Sequence, residues 1–273
     1  MTQKDKIQAF RAQIWAFYGH SGRQFQWRKM TNPYKILVSE IMLQQTQVDR
    51  VVEKFPEFLK AFPTIKTLAE APLSHVLMVW QGMGYNRRAL ALKRLAEEII
   101  QKHKGHIPHT REALEKLHGV GKYTAGAVRA FAFNEPEVFI ETNIRRVFIH
   151  HFFPRRTDVT DKEIMPFVEA SLDTSRPREW YWALMDYGSY LPKIVLNNPN
   201  KKSKHYVAQK KFEGSHRQMR GKVLMLLNTK GKCHVSLCAK TLKVETAKAQ
   251  MVLNELMREE FIQKDGKIYT IKN

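Results

Sequence analysis

Two glutamates occupy places where a carboxyl group can do chemistry. Glu40 lies in the run Ile36-Leu37-Val38-Ser39-Glu40-Ile41-Met42-Leu43, where only Ser39 and Glu40 are polar. An acid flanked by Leu37, Val38, Ile41 and Met42 is half buried if its helix packs. Burial raises its pKa and makes it available as a proton donor. Glu40 turned to solvent, or satisfying a neighbouring helix end, fits the sequence equally well. Glu141 follows Val138-Phe139-Ile140 and opens Glu141-Thr142-Asn143, just ahead of a helical run from Ile144 to Phe153. A carboxylate is electrostatically favoured there, which is enough to explain Glu141 as a simple cap. A third cluster is Leu117-His118-Gly119-Val120-Gly121-Lys122-Tyr123-Thr124-Ala125-Gly126. Gly119 and Gly121 let the backbone turn sharply and approach a ligand with no side chain in the way. The amides opening the second helix then face an anion, and Lys122 adds a charge beside them. This pattern reads as a helix-hairpin-helix that holds a phosphate; a plain turn with glycine caps looks similar.

The elements that position these groups follow from spacing. Ile7, Phe10, Ile14, Trp15 and Tyr18 predict a helix over 5–18. In Phe25-Gln26-Trp27-Arg28 the aromatics, Trp27 included, either line a base pocket or pack in a core. Pro33 starts a helix that reads through to Phe55 and places Gln44 one turn beyond Glu40 on the same face. Gln44, Gln45 and Thr46 can reach base edges or fill a gap in a base stack. Short helices follow to Lys104, interrupted at Gln81-Gly82-Met83-Gly84-Tyr85-Asn86-Arg87-Arg88. That turn is either an aromatic and cationic contact surface or a helix C-cap leading into a solvated basic face. The hairpin pairs a helix over 111–117 with one over 123–133, and further helices span 161–172 and 178–191. The polar segment 197–204 reads as a linker. Beyond it, helices over 219–227, 235–242 and 246–258 precede two strands joined at Asp265-Gly266, a strong hairpin signal. Three helices and a β-hairpin make a winged helix, whose helix from Thr246 fits a DNA groove, although many winged helices bind protein.

Composition narrows the function classes. The 273 residues suffice for two domains with their own cores. The formal charge is +20, and +11 of it falls in residues 200–273. A polyanionic partner is the simplest reason to accept that self-repulsion. No basic amphipathic helix carries an exposed aromatic face, and no apolar run approaches the roughly 18 residues that span a bilayer. The first residues lack a signal-peptide apolar core. With only Cys233 and Cys238, four-cysteine cluster ligation is unavailable. A cytoplasmic location is expected, with nucleoid association in a prokaryote.

Residues 25–192 resemble the helix-hairpin-helix DNA glycosylase superfamily of base-excision repair, most closely its MutY-like and archaeal mismatch-glycosylase branches. The motifs are F-Q-W-R at 25–28, P-Y-K-I-L-V-S-E-I-M-L-Q-Q-T-Q-V at 33–48, W-Q-G-M-G-Y at 80–85, L-H-G-V-G-K-Y-T-A-G-A-V at 117–128, E-T-N-I-R-R-V at 141–147 and A-L-M-D-Y-G at 183–188. The resemblance implies an all-α, two-lobed helix-hairpin-helix domain over 1–196, here followed by a basic linker over 197–216 and an α+β winged helix over 217–273. It implies that Glu40 protonates the departing base, that Gln44 enters the gap left by the flipped nucleotide, and that Tyr85 lies near the pocket and the opposite base. Gln45, Trp27 and Asn143 join that pocket, and Arg87, Gly119, Val120, Gly121, Lys122 and Thr124 the DNA-binding surface. The hairpin carbonyls in this family often hold a monovalent cation. Tyr123 stands where bifunctional relatives carry a catalytic lysine, implying a monofunctional enzyme.

Two departures shape the expectation. Glu141 stands at the family's aspartate position, one methylene longer, which keeps the charge but moves it by roughly 1 Å. The four-cysteine loop usual after A-L-M-D is replaced by Leu191-Pro192-Lys193, so no iron–sulfur cluster and no required cofactor are expected. The expected partner is double-stranded DNA carrying a mismatched or damaged base, bound by a monomer. Adenine is slightly favoured as the excised base, and thymine or uracil opposite guanine comes next. A catalytically silent protein that recognises distorted DNA is the rival reading; a transcription regulator built on the winged helix fits poorly with six glycosylase motifs.

Overall fold

The computed structural model describes residues 2–208 and 212–272. Residues 209–211 of the expected linker, with 1 and 273 at the ends of the expected domains, lie outside the described residues. The chain divides into two compact units that interleave in sequence. One comprises 2–40, 109–116 and 120–208, the other 41–108, 117–119 and 212–272.

The first unit is built from α1 (Gln3–Ser21), the start of α2 (Pro33–Leu43), α7 (Arg111–Glu115), α8 (Lys122–Val128), α9 (Thr142–Phe152), α10 (Asp161–Ser171) and α11 (Pro177–Tyr190). Each start has a local cause. Thr2 with Asp5 and Thr160 with Glu163 form capping boxes, Glu141 caps α9, and Pro177 occupies the first turn of α11. Phe10 packs on Phe148, Phe152 and Trp180, with ring centroids 5.1–6.1 Å apart. Phe139 stacks on Tyr181 at 3.9 Å. The Asn200 amide of a 3₁₀ turn over Pro199–Lys202 donates to Thr142 O, so the first part of the 197–216 segment is anchored on this unit.

The second unit contains the end of α2, α3 (Val48–Ala61), α4 (Ile65–Glu70), α5 (Leu73–Val79) and α6 (Arg87–His103) around Phe55, Phe58, Phe62 and Trp80, all at most 1% exposed. It also holds the winged helix: α12 (His216–Lys230), β1 (Lys232–Cys233), α13 (Val235–Leu242), α14 (Thr246–Arg258), β2 (Ile262–Asp265) and β3 (Ile268–Ile271). The sheet order is β1-β3-β2, antiparallel throughout, with Asp265 opposite Ile268 across Gly266 at φ +54°. β1 was not legible in the sequence, because two residues are too few to show an alternation. The winged helix is tied to α6 by charge: Glu259 accepts from Arg87 at 2.6 Å and from Arg220 at 2.6 Å. Glu260 pairs with Arg94, and with Lys272 at 2.8 Å.

The helix expected from Pro33 through Phe55 is two helices. α2 stops at Leu43, Gln45 adopts the left-handed region at φ +55°, and α3 begins at Val48. The cause lies in α6. The buried Arg88 guanidinium receives the carbonyls that a continuing helix would have used, donating to Ile41 O, Met42 O and Gln44 O at 2.5–2.9 Å. Gln44 is thus the first residue beyond α2, at the start of the turn. The helix expected over 123–133 likewise changes: α8 gives way to a π-helical turn, Arg129–Phe133. Arg178 takes the carbonyls of Phe131 at 2.7 Å and Ala132 at 3.2 Å.

Candidate active site

Glu40 projects from the apolar face of α2 and is 4% exposed. The Tyr123 hydroxyl, one residue into α8, donates to its Oε2 at 2.6 Å. Burial pushes the Glu40 carboxyl up to about 7, and the Glu141 charge pushes the same way. The Tyr123 hydrogen bond and the Arg28 charge pull it down. The solvent-turned alternative for Glu40 is thereby removed. Tyr123 is itself held well above the usual phenol value, first by burial and then by Glu40 and Glu141. It is a hydrogen-bond donor in this arrangement, not a base.

Glu141 sits in extended backbone and caps α9: its Oε1 accepts from Asn143 N at 2.7 Å and Ile144 N at 2.8 Å. The Asn143 side chain donates to Oε2 at 3.2 Å. Burial raises its pKa, while the two backbone N–H groups and the Arg146 and Arg145 charges oppose the rise. The carboxylate is thus fixed in direction, while burial keeps its pKa above the ordinary value. The α9 start is set by a close approach: a Cβ on Gly188 would come within 2.4 Å of Asn143 O. Arg146 closes the same corner, donating to Gly188 O at 2.6 Å and Asn143 Oδ1 at 2.8 Å.

Glu40, Tyr123, Glu141 and Asn143 therefore form one cluster within the first unit. A second group of expected residues gathers in the other unit around Arg88. Its guanidinium donates to Thr46 Oγ1, Met83 O and Gly84 O at 2.9–3.1 Å as well as to the end of α2. One buried cation thereby holds both the Gln44-Gln45 turn and the Gly82–Tyr85 turn. Tyr85 is left-handed at φ +47°, an uncommon backbone for a residue with a side chain. Its hydroxyl pairs with Arg217 of α12, whose guanidinium carbon lies 4.9 Å from the ring centroid.

Other expectations change. Thr124 is 3% exposed because its side chain faces into α8's packing, so it offers no hydroxyl to a DNA surface. Trp27 is 6% exposed and stacks on Phe25 at 4.7 Å, the core alternative of its two readings. Val120 is buried, while Gly121 and Lys122 are exposed, with Gly121 as the cap residue of α8. Gly119 adopts φ +75°, and its ideal Cβ would lie 3.1 Å from Ala91 Cβ. Arg87 is ion-paired with Glu259.

Residues missed by the sequence reading are equally clear. Arg28 makes a two-pronged pair with Asp186 at 2.7 and 2.8 Å, and Arg23 adds a bond at 2.7 Å. Asp186 is 2% exposed, so this pair locks F-Q-W-R onto A-L-M-D. An acid set among the apolar residues of α11 was the available signal, the same one that marked Glu40.

Helices joined through a Gly-x-Gly hairpin define a helix-hairpin-helix class of fold. Residues 38–170 match the family described as "HhH-GPD superfamily base excision DNA repair protein". An adenine DNA glycosylase of Buchnera aphidicola is 34% identical over 207 residues, 72% of this chain and 58% of that protein. A thymine/uracil-DNA glycosylase of Pyrobaculum aerophilum is 32% identical over 185 residues, 65% of this chain and 80% of that protein. A solved thermostable thymine-DNA glycosylase superposes with TM-score 0.62 and 27% identity, covering 73% of this chain and 91% of that one. This chain belongs to the HhH-GPD superfamily of base-excision DNA repair proteins. It spans little more than half the length of the Buchnera relative and 38% of the rat adenine DNA glycosylase. Among the described residues no helix is long and apolar enough to cross a membrane.

Proposed function

We propose that the chain is a monofunctional DNA N-glycosylase that flips a mismatched or damaged base out of duplex DNA and hydrolyses its glycosidic bond. The observation that carries the reading is the buried Glu40 carboxyl, titrating near pH 7 under the Tyr123 hydroxyl and next to the capped Glu141. Protonated Glu40 donates to the departing base, and ionised Glu141 stabilises the positive charge that develops on the sugar. The two acids have opposite duties, as in glycoside hydrolysis. A phenol at position 123 forms no Schiff base, which supports hydrolysis without strand cleavage. Gln44 and Gln45 fill the gap in the stack, beside Tyr85. The hairpin amides of Gly121 and Lys122 grip a phosphate, with a monovalent cation on the hairpin carbonyls. No iron–sulfur cluster or required cofactor enters this scheme, and a monomer in the cytoplasm, near the nucleoid in a prokaryote, suits it.

Adenine is the first candidate base, from the S-E-I-M-L-Q-Q-T match and the relatives named adenine DNA glycosylase. Thymine or uracil opposite guanine follows, from Tyr123 and the Pyrobaculum relative. The test is single-turnover excision on duplexes pairing adenine, thymine, uracil and hypoxanthine with guanine and oxidised guanine. Strand breaks only after alkali, lost in Glu40→Gln, are expected. Breaks without alkali would overturn the monofunctional reading. The silent DNA-binding reading has its own support, because Glu141 Oε1 is committed to capping α9. Tight binding with no excision on any duplex favours it, and Glu141→Asp then asks whether the longer side chain is the reason.

A further inference from the structure

The outward face of α14 carries no charge until Arg258, near its end. Ala249, Val252, Leu253 and Leu256 are buried, so helical spacing turns Ala247, Gln250, Met251 and Asn254 away from the core. Ala247 and Asn254 are exposed, Gln250 is half-buried and Met251 is 64% exposed. The two amides are held in place. Gln250 Nε2 donates to Asn254 Oδ1 and to the Tyr269 hydroxyl, both at 2.8 Å. Tyr269 belongs to β3, and Lys264 Nζ lies 5.6 Å from its ring centroid. The β-hairpin therefore stands directly beside this face.

The surroundings of the face are basic. Glu255, Glu259 and Glu260 are engaged by His216, Arg220, Arg87, Arg94 and Lys272. Residues 240–272 then present Lys240, Lys243, Lys248, Arg258, Lys264 and Lys267 against Glu245 and Asp265 alone. All six bases are exposed, and none pairs with a carboxylate among the described residues. Lys243 closes the turn before α14, Lys248 lies in its first turn, and Lys264 and Lys267 flank the Asp265-Gly266 turn. An uncharged face of amides and small apolar groups suits base edges, which offer donors, acceptors and methyls. Unpaired lysines on both flanks suit phosphates. A protein surface would meet the apolar groups and leave the lysines unmatched.

We propose that α14 enters the major groove of fully paired, undamaged duplex DNA, with its amide face on the base edges and Lys248, Lys264 and Lys267 on phosphates. The first turns of the helix lead, because Glu255 and Glu259 bind its later turns to α12 and α6. The inference does not rest on the base-excision reading, since it needs neither a lesion nor turnover.

The test titrates the full chain with a short undamaged duplex and with one of its single strands. Binding is read by ¹H–¹⁵N shifts and by fluorescence anisotropy over a salt series. Duplex-induced shifts at Gln250, Met251, Asn254 and Lys267 are expected, beyond any around the hairpin at Lys122. Met251→Glu sets a carboxylate on an exposed position; it should keep the melting temperature of the parent and weaken the duplex about tenfold. Lys248→Ala and Lys267→Ala should each lower the slope of log affinity against log salt by about one unit. Shifts confined to the hairpin, or unaltered duplex affinity in Met251→Glu, would overturn the site and leave the face to a protein partner. Shifts on α14 that are as large with the single strand would overturn entry into a groove.

Discussion

A glutamic acid that titrates near 7 is protonated in about half of the molecules at neutral pH, so Glu40 is both a donor and a liability. The liability has a definite sign. The folded pKa is raised from the ordinary value of 4.5 to about 7, so the contribution to stability is fully present below pH 4.5 and is lost as pH rises through 7. Glu40→Gln removes that loss, while its amide oxygen still accepts from Tyr123. Denaturant melts should therefore find the variant more stable than the parent at pH 8, by up to about 3 kcal/mol, and the difference should vanish near pH 4. Excision in the same variant should fall by a factor of about 10² to 10⁴, the range for loss of a general acid. Tyr123→Phe tests the pair from the other side. Removing the hydroxyl bond lets the Glu40 pKa rise further, so the alkaline limb of single-turnover excision should move to higher pH.

At the scale of elements, the start of α9 depends on how closely α11 approaches it. A Cβ on Gly188 would meet Asn143 backbone at 2.4–2.8 Å, and neither partner is a flexible side-chain end. Gly188→Ala should push Glu141 and Asn143 out of place. Expected results are a loss of a few kcal/mol in stability and an excision rate down at least tenfold in the protein that still folds. Arg88→Met should release the Gln44-Gln45 and Gly82–Tyr85 turns together, leaving buried carbonyls unpaired at a cost of several kcal/mol. Hydrogen exchange should rise in both turns at once, whereas a clamp on one alone would loosen only that one. These contacts mark where sequence reasoning ends. Spacing placed α1, α13 and α14 within a few residues, and an acid among apolar neighbours identified Glu40. The break after Leu43 was invisible, because its cause is an arginine 45 positions away. Asp186 was quoted in a motif without a role, since its partners, Arg23 and Arg28, lie about 160 residues upstream.

At the scale of the whole molecule, the +20 charge suits the chain to a polyanion, yet some of its arginines are matched by carboxylates. Arg87 is held by Glu259, whereas Lys122 stands exposed beside the hairpin amides. Lys122→Ala should reduce the slope of log affinity against log salt by about one unit on duplex DNA; Arg87→Ala should leave that slope nearly unchanged. The ties between the winged helix and α6 also have a bearing on synthesis. Glu259 lies 172 positions after Arg87, and Glu260 lies 166 after Arg94. A chain leaving the ribosome amino end first displays both guanidiniums with their counter-charges still unmade, and Tyr85 waits as long for Arg217. The nascent protein is therefore more basic on this face until α14 and the residues that follow it emerge and supply the counter-charges.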